Sequence, residues 1–155
     1  MKFWVFKSEP DAFSIDDLKS SPRKTSGWDG VRNYQARNLL RDEVKKGDQV
    51  IFYHSSCRPP GAVGLADVTR SGYPDRTDGS EESDPPRWFQ VDVRYRAHFP
   101  EPVLLDAMRS MKSLEELQLL KRGNRLSILP ATRAQFSAIV KAGGLDPKEI
   151  LGSSR

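Results

Sequence analysis

A single cysteine, Cys57, stands in 155 residues. One thiol excludes an intramolecular disulfide framework and every zinc site that draws two or more Cys ligands from one chain. Histidine is almost as scarce, with His54 and His98 alone. His54 and Cys57 form a His-x-x-Cys pair, but two ligands fall short of a zinc site, so no metal is expected. No window approaches the ~18 consecutive apolar residues of a membrane span. Phe3–Phe6 is too short for a signal-peptide core, and no basic segment precedes it. Glycosylation acceptors and lipidation motifs are missing as well. The chain is therefore expected to stay where it is made, in the cytoplasm of a bacterium or the nucleus of a eukaryote, with no membrane partner. The Gly-rich phosphate cradles and the Gly-x-Ser-x-Gly elbow are also absent, and no cofactor is expected. Ser8 beside Lys7, and Ser55 beside His54, fail as nucleophile and base because strand neighbours point to opposite faces.

What is present describes a folded domain. Charged residues make up 30% of the chain and aromatics 9%, too many rings for a disordered polymer. The net charge of +4 is an average over unlike segments. Asp75–Asp84 holds five acids and one arginine, net −4, and is expected to be a solvated, mobile hairpin tip. Pro22–Lys46 is net +4 and Lys121–Arg155 net +5.

Lys2–Lys7, Gln49–Ser55, Ala62–Thr69, Arg87–Phe99 and Arg125–Leu129 are expected as strands. In the fourth, Phe89, Val91, Val93 and Tyr95 share one face, while Trp88, Gln90, Asp92 and Arg94 take the other. Helices are expected over Ile15–Ser20 with Ser14 opening a capping box, from an Asn33 cap to about Val44, over Pro102–Met111, over Ser113–Leu120, and over Thr132–Ala142. Pro22–Gly30 reads as loop, and Gly152–Arg155 as a frayed end. Short strands with interspersed helices and no βαβ rhythm give an α+β class, a small mixed barrel ringed by helices. One domain is expected over 1–145, with 146–155 a C-terminal tail, and the protein is expected to be a monomer.

The segment Gly27-Trp28-Asp29-Gly30-Val31-Arg32-Asn33-Tyr34-Gln35-Ala36-Arg37-Asn38 is where chemistry concentrates. A Trp between glycines is costly unless it packs or stacks. A helix start with Arg32 and Arg37 suits phosphate, and Asn33 and Gln35 carry amides able to read a base edge. Cations interleaved with aromatics are the pattern of unpaired-base binding. If Trp28 is a pocket residue, Trp28→Ala should leave folding largely intact; if it is core, the substitution should unfold the chain.

Phe6-Lys7-Ser8-Glu9-Pro10, Trp28–Asn38, Gly47-Asp48 with Phe52-Tyr53-His54-Ser55, Gly61 with Val63-Gly64, Tyr73-Pro74-Asp75, and Asn124-Arg125-Leu126-Ser127 with Pro130 form an ordered set. Over about residues 2–140 this set resembles the EVE domain family of the PUA-like superfamily. The resemblance implies a PUA-like mixed β pseudo-barrel of about five to six strands with peripheral helices. It also implies a pocket for a modified nucleobase, modified cytosine in DNA first, with RNA as the alternative polymer. Ala131 and Phe136 depart from the family pattern as packing differences, and Ser56-Cys57-Arg58 varies a loop beside His54.

Carried over by motif, the nucleobase pocket is drawn from Lys7, Ser8, Glu9, Trp28, Asn33, Tyr34, Gln35, Tyr53, His54, Ser55, Leu126 and Ser127. Arg32, Arg37 and Arg125 are the expected phosphate contacts. In this scheme Trp28, helped by Tyr34 or Tyr53, stacks on an extruded base, and Ser8, Asn33, Gln35 and His54 bond its polar edge. No catalytic residue is expected. The competing expectation is a nucleic-acid- or nucleoside-processing hydrolase with Lys7, Glu9 and His54 as its acid–base set.

Overall fold

A computed structural model describes residues 1–152. Six strands make one mixed sheet: β1 (Phe3–Ser8), β2 (Thr25–Gly27), β3 (Gln49–His54), β4 (Gly61–Pro74), β5 (Phe89–Leu104) and β6 (Ile128–Ala131), in the spatial order β2-β5-β4-β3-β1-β6. β1 and β3 run parallel, and the other pairings are antiparallel. The helices are α1 (Ile15–Ser20), α2 (Tyr34–Asp42), α3 (Leu105–Arg109), α4 (Arg133–Ala142) and α5 (Pro147–Leu151). The class is α+β.

Strand alternation builds a core on each face of the sheet. Trp4 and Phe6 of β1 join Val50 and Phe52 of β3 in one cluster, closed by Ile15 and Leu18 of α1 and by Ala36 and Leu40 of α2. Phe3 and Val5 join Ile51 and Tyr53 in the other, closed by Met108, Phe136 and Ile139. The first cluster collects Val91 and Val93 from β5 and Ile128 from β6, near opposite ends of the strand order. Those residues meet only if the sheet curls, which makes it a pseudo-barrel with an open seam between edge strands β2 and β6. Register shifts along β4 and β5 mark the bulges that bend these long strands. Where α1 lies on the sheet, Gly64 leaves room: a Cβ there would run into the Ala97 carbonyl oxygen and Ile15 Cδ1.

The expected caps form. Ser14 Oγ accepts from Asp17 N–H, the Asp17 carboxylate accepts from Ser14 N–H, and Asn33 Oδ1 accepts from Ala36 N–H. Several expectations are corrected. Thr25–Gly27, read as loop, is strand β2, made so by pairing with Arg94–Asp92 of β5. Ser113–Leu120 is two 3₁₀ turns, Lys112–Leu114 and Gln118–Leu120, rather than a capped helix. The helix expected over Pro102–Met111 shrinks to α3 because β5 continues to Leu104. The last strand begins later than expected, at Ile128, and keeps Pro130, which an edge strand tolerates. Trp88, assigned to the polar face, is buried.

The segment from 146, read as tail, carries α5, capped by Asp146, and Ile150 and Leu151 pack on the second core. The Arg96 guanidinium bonds the Ile150 carbonyl and Gln49, tying that helix to the sheet. The frayed end expected over Gly152–Arg155 lies, from residue 153, outside the described residues.

Candidate functional site

A cleft of about 520 Å³ opens at the seam. The end of β1 supplies Lys7, Ser8 and Glu9, the edge strand β2 supplies Ser26 and Gly27, and Ser127 stands just before β6. Its apolar wall is Trp28 with Phe13 and Val31. Such a volume lies within the ~300–1,000 Å³ of small-ligand sites, which favour barrel mouths.

Trp28 is only 7% exposed. Its ring packs against Phe6 (centroids 5.2 Å apart), Phe52 (5.3 Å) and Phe13 (6.2 Å), so it belongs to the core and presents an edge to the cleft. No protein acceptor pairs with Trp28 Nε1 among the described residues, and no buried side-chain nitrogen or oxygen there goes unpaired, so this N–H borders the cleft.

The loop carrying Trp28 is held by Asp75. Its Oδ2 accepts from Gly30 N–H (2.8 Å) and Arg32 Nη1 (3.0 Å), and its Oδ1 accepts from Thr77 N–H (2.8 Å) and Oγ1 (2.6 Å). Gly30 sits at φ +78°, a conformation that favours glycine and lets its amide turn toward the carboxylate. Burial pushes the Asp75 carboxyl up, but the bonds from Thr77, Gly30 and Arg32 outweigh it and bring it down to about 2. Expected at the start of a mobile acidic tip, Asp75 is instead a buried anchor.

The remaining motif residues disperse. Ser8 lines the cleft, but its Oγ donates to the Phe13 carbonyl (2.6 Å) and fixes the cleft wall. Asn33 is spent on capping α2, and Gln35 is exposed outside the cleft. Tyr34 stacks on Trp88 (4.9 Å) outside the cleft instead of helping Trp28 to hold a base, with the Arg37 guanidinium over Tyr34 and Arg32 over Trp88. Arg37 also donates to the Arg87 carbonyl. Arg32 borders the cleft while committed to Asp75 and Thr77. Arg125 is exposed and Leu126 packs between the two cores, and neither lines the cleft.

His54 is corrected on both counts. Its Nε2 accepts from Ile15 N–H (3.1 Å), covering an amide at the start of α1. Burial lowers its pKa, more than the nearby Asp16 carboxylate restores, so the acceptor form prevails. It lines neither cleft, and Lys7, Glu9 and His54 are not assembled as an acid–base set.

Tyr53 and Ser55 open instead onto a second cleft, of about 690 Å³. Lys7 lines both cavities and separates them. Beside Tyr53 and Ser55 the second cleft has Arg109, Lys121 and Arg122. Burial pushes the Tyr53 hydroxyl up to about 12, keeping it a donor at neutral pH, and burial lowers the Lys7 ammonium. Phe13, the Ser26–Gly27 edge and Asp29 were missed as site residues. Only their adjacency to Trp28 and Glu9 in the chain pointed to them. Among the described residues no three His, Cys, Asp or Glu side chains converge to hold a metal, and no helix is long and apolar enough to cross a membrane.

Comparison with known proteins places this geometry. The EVE domain family matches residues 2–142. Thymocyte nuclear protein 1 of Mus musculus is 36% identical over 171 aligned positions, covering 94% of this chain and 75% of that protein. A crystal structure of a Pseudomonas putida protein is 41% identical with a TM-score of 0.81, covering 91% of this chain and 99% of its own. Human THYN1 protein, solved in complex with 5-methylcytosine containing DNA, is 34% identical with a TM-score of 0.83, covering 95% of this chain and all (100%) of its own. With a match over nearly its whole length and the same fold in solved relatives, the chain belongs to the EVE domain family.

Proposed function

We propose that this EVE domain is a non-catalytic reader that takes a modified cytosine, in DNA before RNA, out of the stack and into the seam cleft. The observation that carries the proposal is the charge-balanced chemistry of that cleft. Lys7 and Arg32 line it together with Glu9 and Asp29 and an apolar wall, which suits a neutral heterocycle better than an ion. A carboxylate is the natural acceptor for the cytosine N4 amino group. Glu9 and Asp29 fill that role, while Lys7, Ser127 and Trp28 Nε1 donate to the ring's acceptors. Phe13, Val31 and the Trp28 edge receive an added methyl. The bound DNA of the human relative supports the ligand class. The hydrolase alternative has no assembled acid–base set to support it.

One buried methyl is worth about 0.8 kcal/mol, roughly fourfold in affinity. Titrating labelled oligonucleotides that differ only in one 5-methylcytosine, at fixed salt, should show a preference of that order for the modified strand. Replacing both Glu9 and Asp29 by alanine should weaken binding without unfolding the protein, since both are exposed. Equal affinities for the two strands, or no effect of the double substitution, would sink the proposal. Tighter binding of the RNA version would reassign the polymer.

A further inference from the structure

The two clefts share Lys7 but differ in chemistry. The first balances its cations with carboxylates. The second is lined by four cations, Lys7, Arg109, Lys121 and Arg122, and by no Asp or Glu. Exposed carboxylates pair with two of them from outside the cavity, Glu116 with Lys121 at 3.0 Å and Asp106 with Arg109 at 3.8 Å. Lys7 and Arg122 are in no ion pair among the described residues. A half-buried ammonium beside unpaired guanidinium is an unfavourable arrangement until an anion enters.

The wall is also built to stay in place. Asn124 Nδ2 donates to the Gln118 carbonyl (2.9 Å), and its Oδ1 accepts from Leu126 N–H (2.8 Å), pinning the turn that carries Lys121 and Arg122. Tyr53 and Ser55 line the same cleft and bring hydroxyl donors to it. By contrast, Arg32 and Arg37, expected from sequence to hold phosphates, are committed to Asp75, Thr77 and the Arg87 carbonyl.

We infer that the second cleft seats the phosphodiester backbone of the nucleic-acid strand whose base occupies the first. Lys7 is the ridge over which the strand passes. The direction of the strand rests on the reading proposed above; the anion chemistry rests on the second cleft alone. Non-bridging phosphate oxygens meet Lys7, Arg109, Lys121 and Arg122 and displace their counterions. This contact carries no sequence or modification information, so it supplies affinity while the seam cleft supplies discrimination.

The test is the salt dependence of binding. Single-stranded oligonucleotides with and without 5-methylcytosine are titrated between about 50 and about 200 mM salt. The proteins compared are the native chain, Arg109→Gln/Arg122→Gln, Arg109→Lys/Arg122→Lys, and Lys148→Gln as a charge control outside both clefts. Both arginines are exposed, so melting midpoints should coincide. The Gln double variant should bind both strands more weakly by the same factor, with its log K against log salt slope reduced by about 1.4, at about 0.7 per phosphate contact. The Lys variant should restore the slope, and Lys148→Gln should leave it unchanged. An unchanged slope in the Gln variant overturns the inference. So does saturable binding of inorganic phosphate to the native protein alongside undiminished oligonucleotide affinity in the variant, which would make the cleft a free-phosphate site. If the native protein fails to distinguish the two strands while the Gln variant still flattens the slope, the base reading falls and the backbone cleft stands.

Discussion

Asp75→Asn tests how the seam cleft is held open. All four groups around the carboxylate act as donors: Gly30 N–H, Arg32 Nη1, Thr77 N–H and Thr77 Oγ1. An amide has one acceptor and one donor end, so whichever way it turns, its NH₂ faces a backbone N–H. Hydrogen bonds to a charged group are worth about 1.5–3 kcal/mol each, and breaking a buried pair costs about 3–5 kcal/mol. Arg32 is a third exposed and regains water, which moderates the loss to about 3 kcal/mol. For a chain of this size that corresponds to a fall of roughly 6–12 °C in Tm. The acid limb gives an independent reading. A carboxyl held at about 2 instead of 3.8 contributes roughly 2 kcal/mol. Because the folded value is depressed, that stability is present above about pH 4 and is lost as pH falls through about 2. Urea denaturation of parent and variant at about pH 5 and about pH 2.5 should show the gap between them closing by roughly 1.5 kcal/mol. A variant that melts with the parent at neutral pH, or a gap that does not close in acid, would refute the anchor.

Trp28→Ala should cost about 3–5 kcal/mol in chemical denaturation because the ring is core as well as cleft wall; an unchanged midpoint would return it to the pocket alone. His54 carries a depressed pKa, so stability should decline as pH falls below about 6.5, when the unfolded chain takes up the proton first. His54→Ala should flatten that decline while losing about 1–3 kcal/mol at neutral pH, from the stranded Ile15 amide; an unaltered pH profile would contradict the assignment. Gly64→Ala should destabilise by about 1–3 kcal/mol or more, since the Cβ meets the backbone of β5 and the Ile15 side chain. A melting point equal to the parent's would show that α1 can give way.

Periodicity and caps carried much of the fold. β1 and β3 were legible as short apolar runs buried on both faces, the start of β5 by its alternation, and α1 and α2 because Ser14 and Asn33 mark their first turns. β2 was not legible: Thr25-Ser26-Gly27 has no apolar side chain to alternate, and only its partner β5 makes it a strand. Leu114 and Leu117 are both buried, but the backbone reaches the core in short 3₁₀ turns rather than one helix.

The site was legible as a region and misdrawn in detail for a related reason. Tyr53, His54 and Ser55 are consecutive, and a strand sends neighbours to opposite faces. In this block Tyr53 and Ser55 reach the second cleft, while His54 turns to the Ile15 amide. Asn33 and Tyr34 look like ligand-reading residues in sequence, but one caps a helix and the other covers Trp88. Neither the charge balance of the seam cleft nor the all-cationic lining of its neighbour is visible until β1, β2 and the 118–124 turn are brought together.

The most direct test of the base-reading claim is the indole N–H spectrum of the ¹⁵N-labelled protein during titration with a 5-methylcytosine oligonucleotide. Trp28 Nε1 borders the cleft, whereas Trp4 Nε1 is sealed by its bond to Asp48 Oδ2 at 3.0 Å and serves as an internal reference. The Trp28 resonance should move with the binding isotherm, and further with the modified strand than with its unmodified twin, while Trp4 stays in place. Saturable binding that leaves the Trp28 resonance unmoved would contradict it.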